Sequence, residues 1–298
     1  MRLLVTTSHS LLLVDSDSGS AQQLHRGAGL YYGIAQKDDT IYVAARHRLV
    51  SSALEQAQER GSILLFDRAL RLCGELEAPF PLRDMHAIAW HADRLWIAAS
   101  FEDMVAVYDG ANWARWYPLG ESTAGPVDLH HFNSFMFDAE SVWLLAHKRG
   151  GSELLAFAKE TRQLQRRIAL GDCGHNVWRE DGQMFTCSST DGKVLGDRGF
   201  SLETGGFPRG VAFDADTRCV GVSAVAERKD RDFTTGKLMV FDRKWRLQKT
   251  IELPGEGLIL DLLPLPVGFE DRPRGGRLSR WLRSALGGSW GQGSQTKR

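Results

Sequence analysis

Short runs of apolar or alternating residues recur along this chain, each closed by an acidic or glycine-containing turn. The stretch Gly174-His175-Asn176-Val177-Trp178-Arg179-Glu180-Asp181-Gly182-Gln183-Met184-Phe185 displays the unit: a polar opening, a short apolar strand, an Asp-Gly turn and a second strand. Period-two patterning bounded by turn residues predicts β-strands joined as hairpins. Residues 1–27 read as three strands, RLLVTTS, SLLLVDSDSG and AQQLHR. A second unit opens at LYYGIAQKDDTIYVAAR and continues, after a polar insertion over residues 47–61, as SILLFD and LRLCGEL. The third is DMHAIAWHADRLWIAAS, MVAVYDG and NWARWYPLG; the fourth is HHFNSFMFDAESVWLLAHK and ELLAFAKETRQLQRRIAL. GHNVWREDGQMFTCSS opens the fifth, which ends near Leu202. The sixth holds FPRGVAFDADTRCVGVSAV, a charged loop AERKDRDFTTG and KLMVFDRKWRLQKTIEL. A single strand, EGLILDLLPLP, closes the series.

Units of this length carrying four strands each are propeller blades. The chain begins with three strands lacking an inner one and ends on an inner strand lacking its other three. Joined, they complete a blade and remove an open sheet edge. The expected fold is therefore all-β: a six-bladed β-propeller over residues 1–266, closed by its own termini. A two-sheet sandwich leaves the complementary ends unexplained. Trp96, Trp143 and Trp178 are expected between blades, and the Glu227–Asp232 run as a solvated loop or a cover over one end of the axis.

The repeat permits the chain to be aligned with itself. With Tyr42, Trp96, Trp143 and Phe185 anchored on the second strand, Tyr32, His86, Asn133 and His175 fall together on the first. Matching GVA to NVW adds Arg209, and the last strand adds Leu260 with Asp261 beside it. First strands of propeller blades surround the axis, so these positions are expected to converge as a polar ring, with Asp84, His131, Cys173 and His130 bordering it. Convergent polar groups in a concave place describe a ligand site. His86, Asn133 and His175 can ligate a divalent transition metal, whereas calcium would want more carboxylates. Without a metal, His86 and His175 can move protons while Arg209 and Asn133 hold an anionic intermediate. Arg209 suits a carboxylate, sulfate or phosphate. In this reading His86, His175 and Arg209 are catalytic, and Tyr32, Asn133, His131 and Arg209 contact substrate. The competing account of any one of these histidines is a hydrogen bond to a carbonyl of the next blade.

Charge narrows the partners. Lysine plus arginine and aspartate plus glutamate both number 37 in 298 residues, so no global field draws the chain to nucleic acid. Four cysteines without a CxxC pair predict free thiols in a reducing compartment. The apolar N-terminal run is broken by TTSHS, unlike a signal peptide, and no run reaches the roughly 20 residues of a membrane span. A cytoplasmic protein is expected. Residues 267–298 turn basic and Gly/Ser-rich, with a short amphipathic helix conceivable over 277–286 that would touch a partner or membrane surface.

The motifs GHNVWREDGQMF, FPRGVAF, VGVSAVAERKDR, KLMVFDR and EGLILDLLPLP resemble a group of bacterial six-bladed propellers of unknown function, with His175, Arg209 and Gly210 on matching positions. More loosely the chain is similar to lactonase and streptogramin-lyase propellers. That likeness implies a metal at the axis, although their acidic ligand set has no counterpart here. HExxH, a P-loop and a strand-borne GxGxxG are all missing. The expected function is binding of, or hydrolase, lyase or isomerase chemistry on, a small anionic or sugar-like molecule. The alternatives are a ligand- or peptide-binding module without chemistry and an interaction scaffold.

Overall fold

A computed structural model of the protein describes residues 1–122, 125–126, 128–147 and 151–269. It consists of six four-stranded antiparallel sheets. The first blade is the composite one: Ile259–Pro264 is its inner strand, followed outward by Arg2–Thr7, Ser10–Asp15 and Ala21–Arg26. The inner strands of the second to sixth blades are Tyr31–Lys37, Met85–His91, Phe132–Phe137, Gly174–Glu180 and Phe207–Phe213. Each inner strand packs against the next around the ring. The predicted helix over 277–286 and most of the basic tail lie outside the described residues.

Closure follows the predicted pairing. Leu3 lies opposite Pro264, Leu4 opposite Leu263 and Val5 opposite Leu262, so the first and last strands share one hydrogen-bonded ladder. This covers an edge that would otherwise present unpaired amides. Burial grades outward: Arg2–Thr7 is buried at five of its six residues, while Ala21–Arg26 is mostly exposed. Apolar residues concentrate on the three inner strands of each blade, which neighbouring blades cover on both faces, rather than on the outermost one. Leu3, Val5, Leu12 and Val14 of the first blade pack on Ala212, Leu238 and Val240 of the sixth. Trp96 packs between the third and fourth blades with Phe132 and Leu144, and Trp143 between the fourth and fifth with Val177 and Met184. The Asp181-Gly182 turn has φ of 49° and 73°, the paired positive values of a tight hairpin turn.

One irregularity recurs in every blade. All six inner strands shift register against their second strand where the polar ring was expected: between Tyr31 and Ile34, Met85 and Ile88, Phe132 and Ser134, His175 and Val177, Pro208 and Val211, and opposite Thr6/Thr7. A bulge re-aims side chains that a regular strand would send to its two faces. It also brings backbones together. A Cβ on Gly33 would sit 2.5 Å from the Ile88 nitrogen, and one on Gly210 would sit 3.0 Å from the Asp261 backbone.

The Arg228–Phe233 turn of the sixth blade is anchored rather than solvated along its whole length. Asp232 is fully buried, accepts the Ser51 amide at 2.7 Å through its carboxylate, and bonds His9 Nε2 through its carbonyl at 2.7 Å.

Candidate functional site

Four imidazoles meet here, two of them, His86 and His175, from inner-strand bulges. The ring centroids of His86 and His131 are 4.6 Å apart, those of His131 and His147 4.4 Å, those of His147 and His175 5.5 Å, and those of His175 and His86 6.1 Å. Tyr32 lies against His86 at 4.6 Å, and the Arg46 guanidinium lies 5.4 Å from the Tyr32 ring. Asp84, His131 and Cys173 occupy one position, two residues before the ring, in the third, fourth and fifth blades. Their φ values are 50°, 50° and 48°, left-handed conformations that non-glycine residues adopt only when their surroundings hold them there.

Hydrogen bonds fix which nitrogen carries a proton in three of the four rings. Ser100 Oγ donates to the Phe132 carbonyl at 2.6 Å, so towards His86 Nδ1, at 3.0 Å, it can only accept. The Asp84 carbonyl is a second acceptor at that nitrogen, 2.9 Å away. His86 Nδ1 therefore bears the hydrogen, and its Nε2 presents a lone pair. The fifth blade repeats the device: Ser189 Oγ donates to the Pro208 carbonyl at 2.7 Å and accepts from His175 Nδ1 at 2.8 Å. The Asp128 carboxylate accepts from His131 Nδ1 at 2.9 Å. His86, His131 and His175 are thus each oriented through Nδ1 by an acceptor, the arrangement that supports metal-ligating histidines.

The free nitrogens then conflict. His86 Nε2 and His131 Nε2 are 3.2 Å apart, and in the neutral rings both are acceptors. His175 Nε2 and His147 Nδ1 are buried without a hydrogen-bond partner, and Cys173 Sγ lies 3.8 Å from His147 Nε2. Potential ligand atoms of Asp84, His86 and His131 lie within 4.8 Å of one another, as do those of His147, Cys173 and His175.

Electrostatics keeps His86, His147 and His175 neutral. Burial holds His175 well below the ordinary imidazole range, and the Arg209 charge lowers it further. Burial does the same to His86, where the opposing pull of Asp84 does not restore it. His147 falls to about 3 through burial, His131 and Arg209. Burial pushes Asp84 up, but Arg46, with His86 and His131, outweighs it and leaves the carboxyl well below the usual range. Asp84 is in turn held by Arg46 and, at 2.7 Å, by Gln56 Nε2, while its amide donates to buried Glu59 at 2.7 Å. Glu59 grips Arg46 at 2.8 and 2.6 Å. Arg46, with Gln56 and Glu59 of the polar insertion, thus supplies a paired, buried network that charges one side of the site.

Arg209 closes the other side. It is 7% exposed, its guanidinium carbon lies 4.9 Å from the Phe207 ring, and its Nε has no hydrogen-bond partner. Arg231 reaches the same ring at 5.9 Å. Among the described residues neither arginine has a carboxylate partner.

Of the residues singled out from sequence, His86, His131, His175, Cys173, Asp84 and Tyr32 share this cluster, with Arg209 at its edge. His86 and His175 belong to different ligand groups. The Asn133 amide is committed elsewhere: Nδ2 donates to the Gly174 carbonyl at 2.6 Å and Oδ1 accepts from Ser134 at 3.0 Å. His130 stacks on Phe132 at 5.6 Å, and Leu260 packs with Tyr32 in an apolar cluster. His147, Ser100, Ser189 and Arg46 were missed, though the same self-alignment holds them. They stand four residues after Trp143, Trp96, Phe185 and Tyr42.

No family model matches the chain, and no curated protein is detectably similar to it in sequence. Solved structures share its shape. A chain in the nidogen/laminin complex superposes with a TM-score of 0.63 at 11% identity, over 88% of this chain and 97% of that one. A protein of unknown function from Bacteroides caccae gives 0.62 at 12% identity over the same shares. At these identities the likeness concerns the fold alone. Among the described residues no helix is long and apolar enough to cross a membrane.

Proposed function

We propose that this propeller binds a divalent transition metal between His86 and His131 and acts on a small anionic molecule held by Arg209, by hydrolase or lyase chemistry. The observation that carries this reading is the 3.2 Å approach of two nitrogens whose rings have each given their proton to another acceptor. Two facing lone pairs repel unless a cation lies between them. A hydrogen carried on His131 Nε2 is the rival occupant of this gap, while burial opposes one carried on His86. A tetrahedral ion with metal–nitrogen bonds of about 2.0–2.1 Å separates two ligand nitrogens by roughly 3.4 Å, close to the spacing here. Asp84, held ionised by Arg46, offsets the ion's charge.

A bound ion supplies Lewis-acid polarisation of a carbonyl or phosphoryl oxygen. Arg209 binds the anionic group, Tyr32 packs on His86 and fixes its plane, and Asp128 holds His131 in the tautomer that a metal needs. The four free thiols fit a reducing compartment, as in the cytoplasm.

The test is elemental analysis of the purified full chain, with calorimetric titration of inorganic phosphate. Stoichiometric metal is expected in the wild type, with loss in His86→Ala and in His131→Ala. Arg209→Gln should keep the metal while weakening phosphate by about 2 kcal/mol, roughly thirtyfold, the worth of a charge-assisted hydrogen bond. Metal content unchanged in His86→Ala overturns the reading. Metal and phosphate bound with no turnover of esters, lactones or phosphoesters would leave a binding module.

A further inference from the structure

The second ligand group has its own chemistry. We infer that His147, Cys173 and His175 hold a second metal ion, of thiolate-imidazole type, so that the propeller carries a two-ion centre; this rests on the metal reading above.

Cys173 immediately precedes the inner strand of the fifth blade and is held in a left-handed conformation with φ 48°. Its thiol meets His147 from the fourth blade with sulfur and nitrogen 3.8 Å apart. In a tetrahedral zinc site, metal–sulfur and metal–nitrogen bonds of about 2.3 and 2.0 Å place those atoms roughly 3.5 Å apart. Little movement is needed to admit an ion. His175 supplies the independent observation. Its side chain is almost wholly buried, Ser189 fixes Nδ1 as the protonated nitrogen, and Nε2 is an acceptor with no partner. A buried acceptor left unpaired costs about 1–3 kcal/mol, which a ligand bond would recover.

The two groups differ in what they favour. Thiolate with imidazole selects zinc, cobalt or copper over harder ions, while the first pair offers imidazoles backed by a carboxylate. They are also adjacent: His131 of one touches His147 of the other at 4.4 Å, and His86 stacks over His175 at 6.1 Å. Two ions there, with Arg209 alongside, would confront one anionic group together, which favours a substrate with more than one charged or polarisable oxygen. The rival account of the 3.8 Å contact is a thiol hydrogen bond to imidazole.

The experiment uses the full chain carrying Cys73→Ser, which removes the exposed thiol, stripped with a chelator and titrated with Co(II). Two equivalents and a near-ultraviolet thiolate-to-cobalt absorption are expected. Adding Cys173→Ser should leave one equivalent and no thiolate absorption, whereas adding His86→Ala should leave one equivalent and keep the absorption. Circular dichroism and Tm check that each variant is folded. One equivalent in the parent, lost with His86→Ala and kept with Cys173→Ser, overturns the second ion and leaves the first reading standing. One equivalent that keeps its thiolate absorption and survives His86→Ala overturns the His86–His131 site, and with it the two-ion centre. Saturation without thiolate absorption reduces the 3.8 Å contact to a hydrogen bond and overturns the inference.

Discussion

The two halves of the inner ring use one backbone device for opposite ends. In the third, fourth and fifth blades the positions two residues before the bulge are Asp84, His131 and Cys173, all left-handed, and the bulges aim imidazoles at one another. In the sixth, first and second blades the matching residues are Phe207, Leu258 and Leu30, with Leu30 and Leu258 in the apolar core. There the bulge lets backbones touch, through Gly210 against Asp261 and Gly33 against the third blade. Polar crosslinks tie the halves at the residue after the ring. Asn176 accepts the Gly210 amide at 2.6 Å and donates to Asp261 at 3.2 Å, and Asp261 also accepts the Ile34 amide at 3.2 Å. The repeat therefore sets where a site can be; the third, fourth and fifth blades supply its imidazoles and thiol, and their neighbours add Tyr32, Arg46 and Arg209. A close-packed half holds the geometry on which the polar half depends.

The largest expected effect is on the packed half. Gly33→Ala drives a Cβ into the Ile88 amide, which is backbone and cannot rotate away. A loss of about 3 kcal/mol in urea denaturation is expected, the upper range for overpacking; a neutral result would remove the packed half from the comparison. Next comes the polar half's response to pH, measured on chelator-treated protein. The folded pKa of His175 lies well below its unfolded value near 6.5, so below that pH the unfolded chain takes up a proton that the folded one refuses. Stability from this residue is present above pH 6.5 and is lost as pH falls. Relative to His175→Gln, the wild type should lose stability as pH falls below 6.5, with a slope rising towards about 1.4 kcal/mol per pH unit. Parallel curves would mean that the ring is not held neutral. Smallest is Ser189→Ala, which frees His175 Nδ1 from its acceptor. It should cost about 1 kcal/mol in stability and roughly tenfold in metal affinity; unchanged affinity would show that the serine orients nothing of consequence.

Much of this was legible before any coordinates. Turn chemistry and strand periodicity give the blades, and the unequal ends give the closure through Leu3–Val5 and Leu262–Pro264. Counting back from Trp96, Trp143 and Phe185 finds His86, Asn133 and His175, because a repeat puts equivalent positions at equivalent radii. Counting forward by four would have found His147 and the serines. What no alignment holds is what each group does with its hydrogen bonds. Asn133 and His86 occupy the same position, yet the amide is used up bracing the next blade while the imidazole keeps a nitrogen free.

The amino-acid order by itself determines six blades, their closure and a ring of unlike polar residues, since these depend on periodicity and turn chemistry local to each unit. Only the tertiary structure decides that four imidazoles and a thiol meet, that Ser100, Ser189 and Asp128 set the tautomers of three of them, and that Arg46, braced by Glu59 from an insertion, holds Asp84 in place. Those relations join atoms from different blades, and their energies depend on burial and on distances of a few ångströms that no single repeat contains.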